Sequence, residues 1–165
     1  MNELIKLKKE NAIEIADIHF LSFPGFFLTD LGKDVLRVFY SALIQDQSTI
    51  VWGLKNNKEL VGFFVASTSP KGLYIRIFKE HLINFFLPLT ISFLKNIRLL
   101  GRMLTSLTSS KSFDVPKEYS AALLSICVSP SFSGKGIGKL LLRKLENELV
   151  LKGINGYYLT TDKEN

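Results

Sequence analysis

Apolar positions along this chain recur with two different periods, and the changes of period predict its elements. Leu4 to Lys8 alternates apolar and basic residues, the pattern of a strand. Glu10 to Phe20 places Ile13, Ala16 and Phe20 on one helical face, and that helix breaks at Phe23-Pro24-Gly25. Thr29 or Asp30 offers a side-chain oxygen to cap a second helix, whose buried stripe reads Leu31, Val35, Val38, Phe39, Ala42 and Leu43. Thr49 to Leu54 returns to strand and Lys55-Asn56-Asn57-Lys58 makes a hairpin turn. Leu60 to Ser67 pairs back, with Gly62 allowing a bulge or a close approach. Beyond a long apolar and basic stretch, Ala121 to Val128 reads as a buried strand. Ile137 to Lys152 reads as a helix closed by Gly153, and Gly156 to Thr161 as a last strand. In that helix Ile137, Leu141, Leu145 and Leu149 recur every four residues with Leu142 alongside, a face that packs on a sheet.

The junction between that strand and helix carries the clearest chemistry. Val128-Ser-Pro-Ser-Phe-Ser-Gly-Lys-Gly-Ile-Gly-Lys139 is a glycine-rich turn leading into a helix N-terminus. The first helical turn has N–H groups without partners inside the helix, and the helix dipole favours negative charge there. Glycine lets the backbone approach a phosphate closely because no Cβ intervenes. A phosphate-bearing ligand is therefore expected at Gly134 to Lys139. A Walker loop is excluded, since Lys139 is followed by Leu140 and the spacing G-x-x-x-x-G-K-[ST] does not occur. The dinucleotide fingerprint G-x-G-x-x-G is also missed: Gly134, Gly136 and Gly138 give G-x-G-x-G, near the C-terminus.

The stretch resembles instead the acetyl-CoA motif of the GCN5-related N-acetyltransferase (GNAT) family, roughly V-x-P-x-x-[RQ]-x-x-G-x-[GA]. Val128, Pro130, Gly136 and Gly138 match, while Ser133 stands where the motif has Arg or Gln. The resemblance implies that Ile126 and Val128 offer strand backbone groups to the pantetheine arm of coenzyme A. It implies that Ser133, Gly134, Lys135, Gly136, Ile137, Gly138 and Lys139 cradle the pyrophosphate, with Lys135 and Lys139 adding positive charge. It implies an α/β (α+β) fold of the GNAT type, a mixed and mainly antiparallel sheet flanked by helices, in the order β-α-α-β-β-(insert)-β-α-β. The stretch Phe23 to Gly32 also resembles the turn between the first two helices that lies over the acceptor site in some members; an apolar loop plugging the core is the alternative.

The reaction implied is direct transfer of an acetyl group from acetyl-CoA to an amine: a small amine, an amino sugar or a protein amine. Its catalytic groups are less well marked. Members often place a Glu at the start of the strand before the motif to accept the amine proton. In register that place is near Ala122; Glu118, four residues earlier, is the candidate, a plain loop charge being the alternative. Backbone N–H groups around Val128 could polarise the thioester carbonyl. Members usually continue past the last strand with an Asn, a helix carrying a Tyr and a final hairpin, whereas this sequence stops at Thr160-Thr-Asp-Lys-Glu-Asn165. The expected fold is thus truncated at the C-terminus, with Gly156 to Thr161 left as an unpaired edge and Tyr157 and Tyr158 on alternate sides. A non-catalytic acyl-CoA-binding module of the same fold is the alternative, on the strength of Ala122, Ser133 and the absent helix.

Composition narrows the setting. The chain has 165 residues, 47% of them apolar, with thirteen Phe, which predicts one domain over 1–165 with a deep core and some apolar surface. A single cysteine, Cys127, allows no intrachain disulfide and fits a reducing, cytoplasmic compartment. Its place between Ile126 and Val128 reads as a small buried hydrophobe, a nucleophile being the alternative. One Cys and two His make no zinc site.

The net charge of +6 sits in residues 71–111, where seven Lys and Arg face Glu80 alone. The insert at 72–108 holds the run His81 to Leu94, fourteen residues interrupted by Pro88, against the roughly 20 needed to span a bilayer. Lys95, Arg98 and Arg102 follow at helical spacing. The insert is read as a buried helical hairpin over the active-site cleft, as a homodimer contact, or as a segment on an anionic membrane or lipid-linked acceptor at its inner face. Its apolar bulk leans the acceptor toward an amphiphilic or sugar-linked amine. Nucleic acid is not expected, because the aromatics here cluster with aliphatics rather than polar residues.

Overall fold

The structure, a computed structural model, describes residues 2–101 and 119–159. Five strands form one sheet in sequence order: β1 (Asn2–Lys6), β2 (Thr49–Asn56), β3 (Glu59–Ser67), β4 (Ala121–Val128) and β5 (Tyr157–Leu159). The first three junctions are antiparallel and the last is parallel. Parallel neighbours need a crossover, and α6 (Ile137–Leu151) supplies it. Further helices are α1 (Ala12–Ser22), α2 (Phe27–Asp30), α3 (Lys33–Gln45), α4 (Leu73–Glu80) and α5 (Leu82–Lys95).

Strand alternation sorts the core into two layers. Val51, Phe63 and Val65 face α1, α3, α4 and α5, whereas Ile50, Leu54, Phe64 and Ala66 face α6. The β2–β3 turn closes in two residues, Asn57 and Lys58, both at positive φ (48° and 75°), as a tight hairpin with the right-handed strand twist requires. Leu141, Leu145 and Leu149 of α6 are fully buried, as their spacing predicts.

Several expectations are corrected. The first strand is Asn2–Lys6 and the first helix runs to Ser22. On α1 the packed face is Ala12, Ile15, Ala16, Ile18 and His19, so Ile13 and Phe20 turn outward, Ile13 with 53% of its surface exposed. The helix is apolar nearly all round, so periodicity alone misjudges its inner face. Neither Thr29 nor Asp30 caps the second long helix. They belong to the single turn α2, and α3 starts after Gly32, whose φ of 94° redirects the chain. Leu36 and Tyr40 join the buried stripe of α3, while Val38 and Phe39 are only partly covered. Within the described part of the insert, α5 packs one side onto α3 and leaves the other exposed, so this helix is not fully buried; residues 102–108 lie outside the described residues. Glu118, Arg102, Lys111 and the stretch Thr160 to Asn165 lie outside the described residues.

The insert is tied to the body by one well-made ion pair. Arg76 of α4 donates Nε to Asp46 Oδ2 at 2.7 Å and Nη2 to Oδ1 at 3.3 Å. Ser48 adds its N–H and hydroxyl to Oδ1 at 2.9 and 2.6 Å. The Asp46 side chain is 6% exposed, and the Arg76 guanidinium holds its carboxyl down to about 2.

Candidate active site at the splayed edge of β4

The register of β4 shows which way its backbone points. Ser129 N–H donates to Val61 O at 2.8 Å, so Val61 and Ser129 face each other as a hydrogen-bonded position. Antiparallel pairs alternate, so Val128 opposite Gly62 and Ile126 opposite Phe64 are non-bonded positions. Their N–H and C=O groups turn away from β3, toward the far edge of β4. That edge pairs with β5 only from Ala121 to Leu123, so among the described residues it has no strand partner from Leu124 to Val128.

A bulge marks where the two strands part. Val65 pairs with Ser125 but Ala66 with Leu123, leaving Leu124 as the extra residue. Leu123 therefore packs toward α6, Leu124 and Ser125 both face α1 and α3, and Ile126 returns to the α6 side. Bulges bend a strand and strengthen its twist, and the pairing of β4 with β5 stops at Leu123, next to the bulge, leaving a wedge-shaped edge beyond it.

At the wide end of the wedge the chain turns into α6. Pro130 to Phe132 makes one 3-10 turn, closed by Phe132 N–H to Ser129 O at 2.8 Å and Ser133 N–H to Pro130 O at 3.2 Å. Gly134 and Gly136 then both take φ of 74°, a left-handed conformation that costs other residues energy. Leu140 is the first to close the helical ladder, donating to Gly136 O at 3.2 Å. The N–H groups of Gly134, Lys135, Gly136, Ile137, Gly138 and Lys139 donate to no described residue, and no side chain caps the helix. Ser133 to Gly136 are exposed, and a Cβ at Gly136 would meet nothing within 4 Å. The buried Ile137 side chain anchors this turn in the core, so only its N–H is available to a ligand. Lys135 holds its ammonium 4.5 Å from the Phe132 ring centroid, and Lys139 is exposed beside it.

Gly62 fixes the height of this turn above the sheet. A Cβ there would lie 3.0 Å from Cys127 O, 3.1 Å from Ile137 Cγ2 and 3.2 Å from Leu141 Cδ1. Only a residue without Cβ lets the first turn of α6 settle so close to β3.

The opposite side of β4 meets α1 and α3 through a buried polar chain that the sequence did not announce. His19 Nδ1 and Tyr40 Oη are 2.6 Å apart, and Tyr40 Oη and Ser125 Oγ 3.4 Å. Nearby, Ser22 Oγ donates to Val128 O at 3.5 Å. Burial raises the Tyr40 phenol well above its ordinary value and pushes the Cys127 thiol up. Cys127 thus stays a protonated, buried thiol. Tyr157 packs on the α6 side, while Tyr158 lies near Tyr74 on the other, as strand alternation requires.

His19 Nε2 is buried without a partner, and burial lowers the imidazole to about 4. The sign of the pH effect follows. The unfolded chain takes up a proton near pH 6.5 and the native chain only near 4, so stability is full above 6.5 and falls as pH drops through that window. Asp46 adds a second loss, from its ordinary 3.8 down to about 2. Urea midpoints measured from pH 7.5 to 3 are expected to decline in both windows. His19→Phe is expected to flatten the upper one alone; an unchanged upper slope would contradict the buried neutral imidazole.

The sequence matches the family model described as the acetyltransferase (GNAT) family over residues 12–165, and the chain belongs to that family. Its class is that of acyl-CoA-dependent N-acetyltransferases. No curated protein is significantly similar to it in sequence. Among solved structures it is similar to an aminoglycoside N-acetyltransferase, AAC(6')-Iy, in complex with CoA. That likeness has a TM-score of 0.61 at 15% identity and covers 100% of this chain and 80% of the other. It is also similar to the PaiA N-acetyltransferase of Thermoplasma acidophilum in complex with coenzyme A, at 0.59 and 16%, covering 100% and 82%. The ribosomal-protein-S18-alanine N-acetyltransferase from Escherichia coli gives 0.57 at 17%, covering 100% and 70%. At these identities the likeness is one of fold.

Proposed function

We propose that this chain transfers the acetyl group of acetyl-CoA to an amine, with the donor held along the splayed edge of β4. The observation that carries this is the run of N–H groups from Gly134 to Lys139 without partners among the described residues, continuous with the outward-turned backbone of Val128 and Ile126. The six amides and the helix dipole suit a diphosphate, since each hydrogen bond to a charged oxygen contributes about 1.5–3 kcal/mol. Lys135 and Lys139 neutralise part of its charge. The extended backbone at Ile126 and Val128 suits an amide-bearing arm, which adds to a strand edge as another strand would. Val128 N–H faces the thioester carbonyl as charge develops on its oxygen. The amine nitrogen bonds to the carbonyl carbon, the C–S bond breaks with its electron pair going to sulfur, and the proton lost by the amine ends on the departing thiolate, giving the amide and free coenzyme A thiol.

The acceptor enters from the side of α1, α2 and the turn between them, where Phe23, Phe26 and Phe27 offer an apolar wall. This favours an amine carried on an apolar or sugar body over a compact polycation. Cys127 takes no part, so Cys127→Ala is expected to keep turnover within about twofold of the parent.

The test is release of free coenzyme A thiol from acetyl-CoA with and without a panel of small amines, amino sugars and N-terminal peptides. Amine-dependent release supports the reading. Thermal stabilisation by acetyl-CoA with no release across the panel would leave binding without transfer, and no stabilisation at all would remove the donor site. Complete loss in a folded Cys127→Ala protein would replace direct transfer with a thiol mechanism.

A further inference from the structure

Helices α4 and α5 leave uncovered the largest set of apolar side chains among the described residues. On α5 the packed side is Phe85, Leu89 and Ser92. The opposite side repeats at helical spacing through Leu82, Ile83, Phe86, Leu87, Ile91 and Leu94, with Ile83 89%, Leu94 83% and Phe86 70% exposed. A helix on a water-facing surface carries charged or polar residues on that side, and an apolar patch of this extent marks an interaction site.

The charges around the patch indicate its partner. Lys79 stands before it, Lys95 and Arg98 stand after it, and all three are exposed and outside the ion pairs of the described residues. Glu80 is the sole acid between residues 71 and 101. Among the described residues no single helix is long and apolar enough to cross a membrane, and α4 and α5 meet at 94° across His81, so the pair does not continue as one straight span. The fourteen residues of α5 reach about 21 Å, short of a hydrocarbon core of about 30 Å.

We propose that α4 and α5 seat this protein on an anionic bilayer surface. The outer side of α5 enters the boundary between headgroups and acyl chains, and Lys79, Lys95 and Arg98 lie on lipid phosphates. A second copy of the chain fits less well. Pairing two α5 helices about a twofold axis sets Lys79 against Lys95 and Arg98, or like against like, and Glu80 is the only acid on the two helices themselves. The proposal stands apart from the acetyl-transfer reading, because neither helix contributes to the turn at Gly134 to Lys139.

Co-sedimentation of the full chain with vesicles tests it. Binding is expected to vesicles of equal parts phosphatidylcholine and phosphatidylglycerol at about 0.05 M salt and to weaken at about 0.5 M. Pure phosphatidylcholine is expected to bind markedly less. Ile83→Asp/Phe86→Asp changes two exposed side chains, so its circular dichroism and acetyl-CoA binding should be those of the parent. Its affinity for the mixed vesicles is expected to drop at least about tenfold. Lys79→Glu/Lys95→Glu is expected to abolish the salt-sensitive part. No binding to mixed vesicles at low salt, equal binding by parent and variants, or a solution dimer that Ile83→Asp/Phe86→Asp dissociates would each overturn the proposal.

Discussion

Gly136→Asp is expected to raise the dissociation constant of acetyl-CoA by at least about thirtyfold, or roughly 2 kcal/mol, while the domain stays folded. The position is at φ 74°, and a Cβ there meets no atom within 4 Å. Asp is among the residues that tolerate this left-handed conformation, which keeps the folding cost small. The new carboxylate projects among the N–H groups proposed to bind the pyrophosphate. It competes for those donors and repels the diphosphate at the same time. Isothermal titration and a thermal melt together decide the matter. Full affinity in a folded variant would place the donor elsewhere, and an unfolded variant would be replaced by Gly136→Asn, which keeps the conformation and omits the charge.

The second large effect is expected at Leu141→Ala. Leu141 is fully buried and lies one turn into α6, against the bare backbone of Gly62. Large-to-small changes at such sites cost about 2–5 kcal/mol, through lost transfer energy and the cavity left behind. The loss falls on the contact that sets the height of the glycine turn, so donor affinity is expected to weaken with stability. In urea the midpoint should fall with the slope unchanged. A loss under about 1 kcal/mol would mean that α6 is not held by this contact.

These two sites differ in how much of them can be read from sequence. The turn is legible because its signals are local: V-x-P, paired glycines and a leucine every fourth residue. Their chemistry acts through main-chain atoms, which neighbouring residues in the chain place directly. The bulge at Leu124 is not legible. Leu124 and Ser125 are neither Gly nor Pro, and the extra residue exists only by reference to Val65 and Ala66 on another strand. The contact of His19 with Tyr40 spans 21 residues and needs α1 and α3 to be packed before it can form. Helix α1 misleads for a simpler reason: with Ile13, Ile15, Ile18, Phe20 and Leu21 spread around it, hydrophobicity marks no single inner side. The capping expectation at Thr29 or Asp30 fails because Gly32 starts α3 by backbone conformation rather than by a side-chain oxygen.

The end of the β4–β5 pairing at Leu123 coincides with a single surplus residue, Leu124, in the pairing of β4 with β3. Loss of one codon, that of Leu124, would restore regular alternation from Leu123 to Ser125 and straighten the path. Every group proposed to face a ligand would keep its identity, yet the path of the strand edge would change. A deletion there is expected to reshape the edge proposed to hold the donor while leaving every proposed contact residue in place.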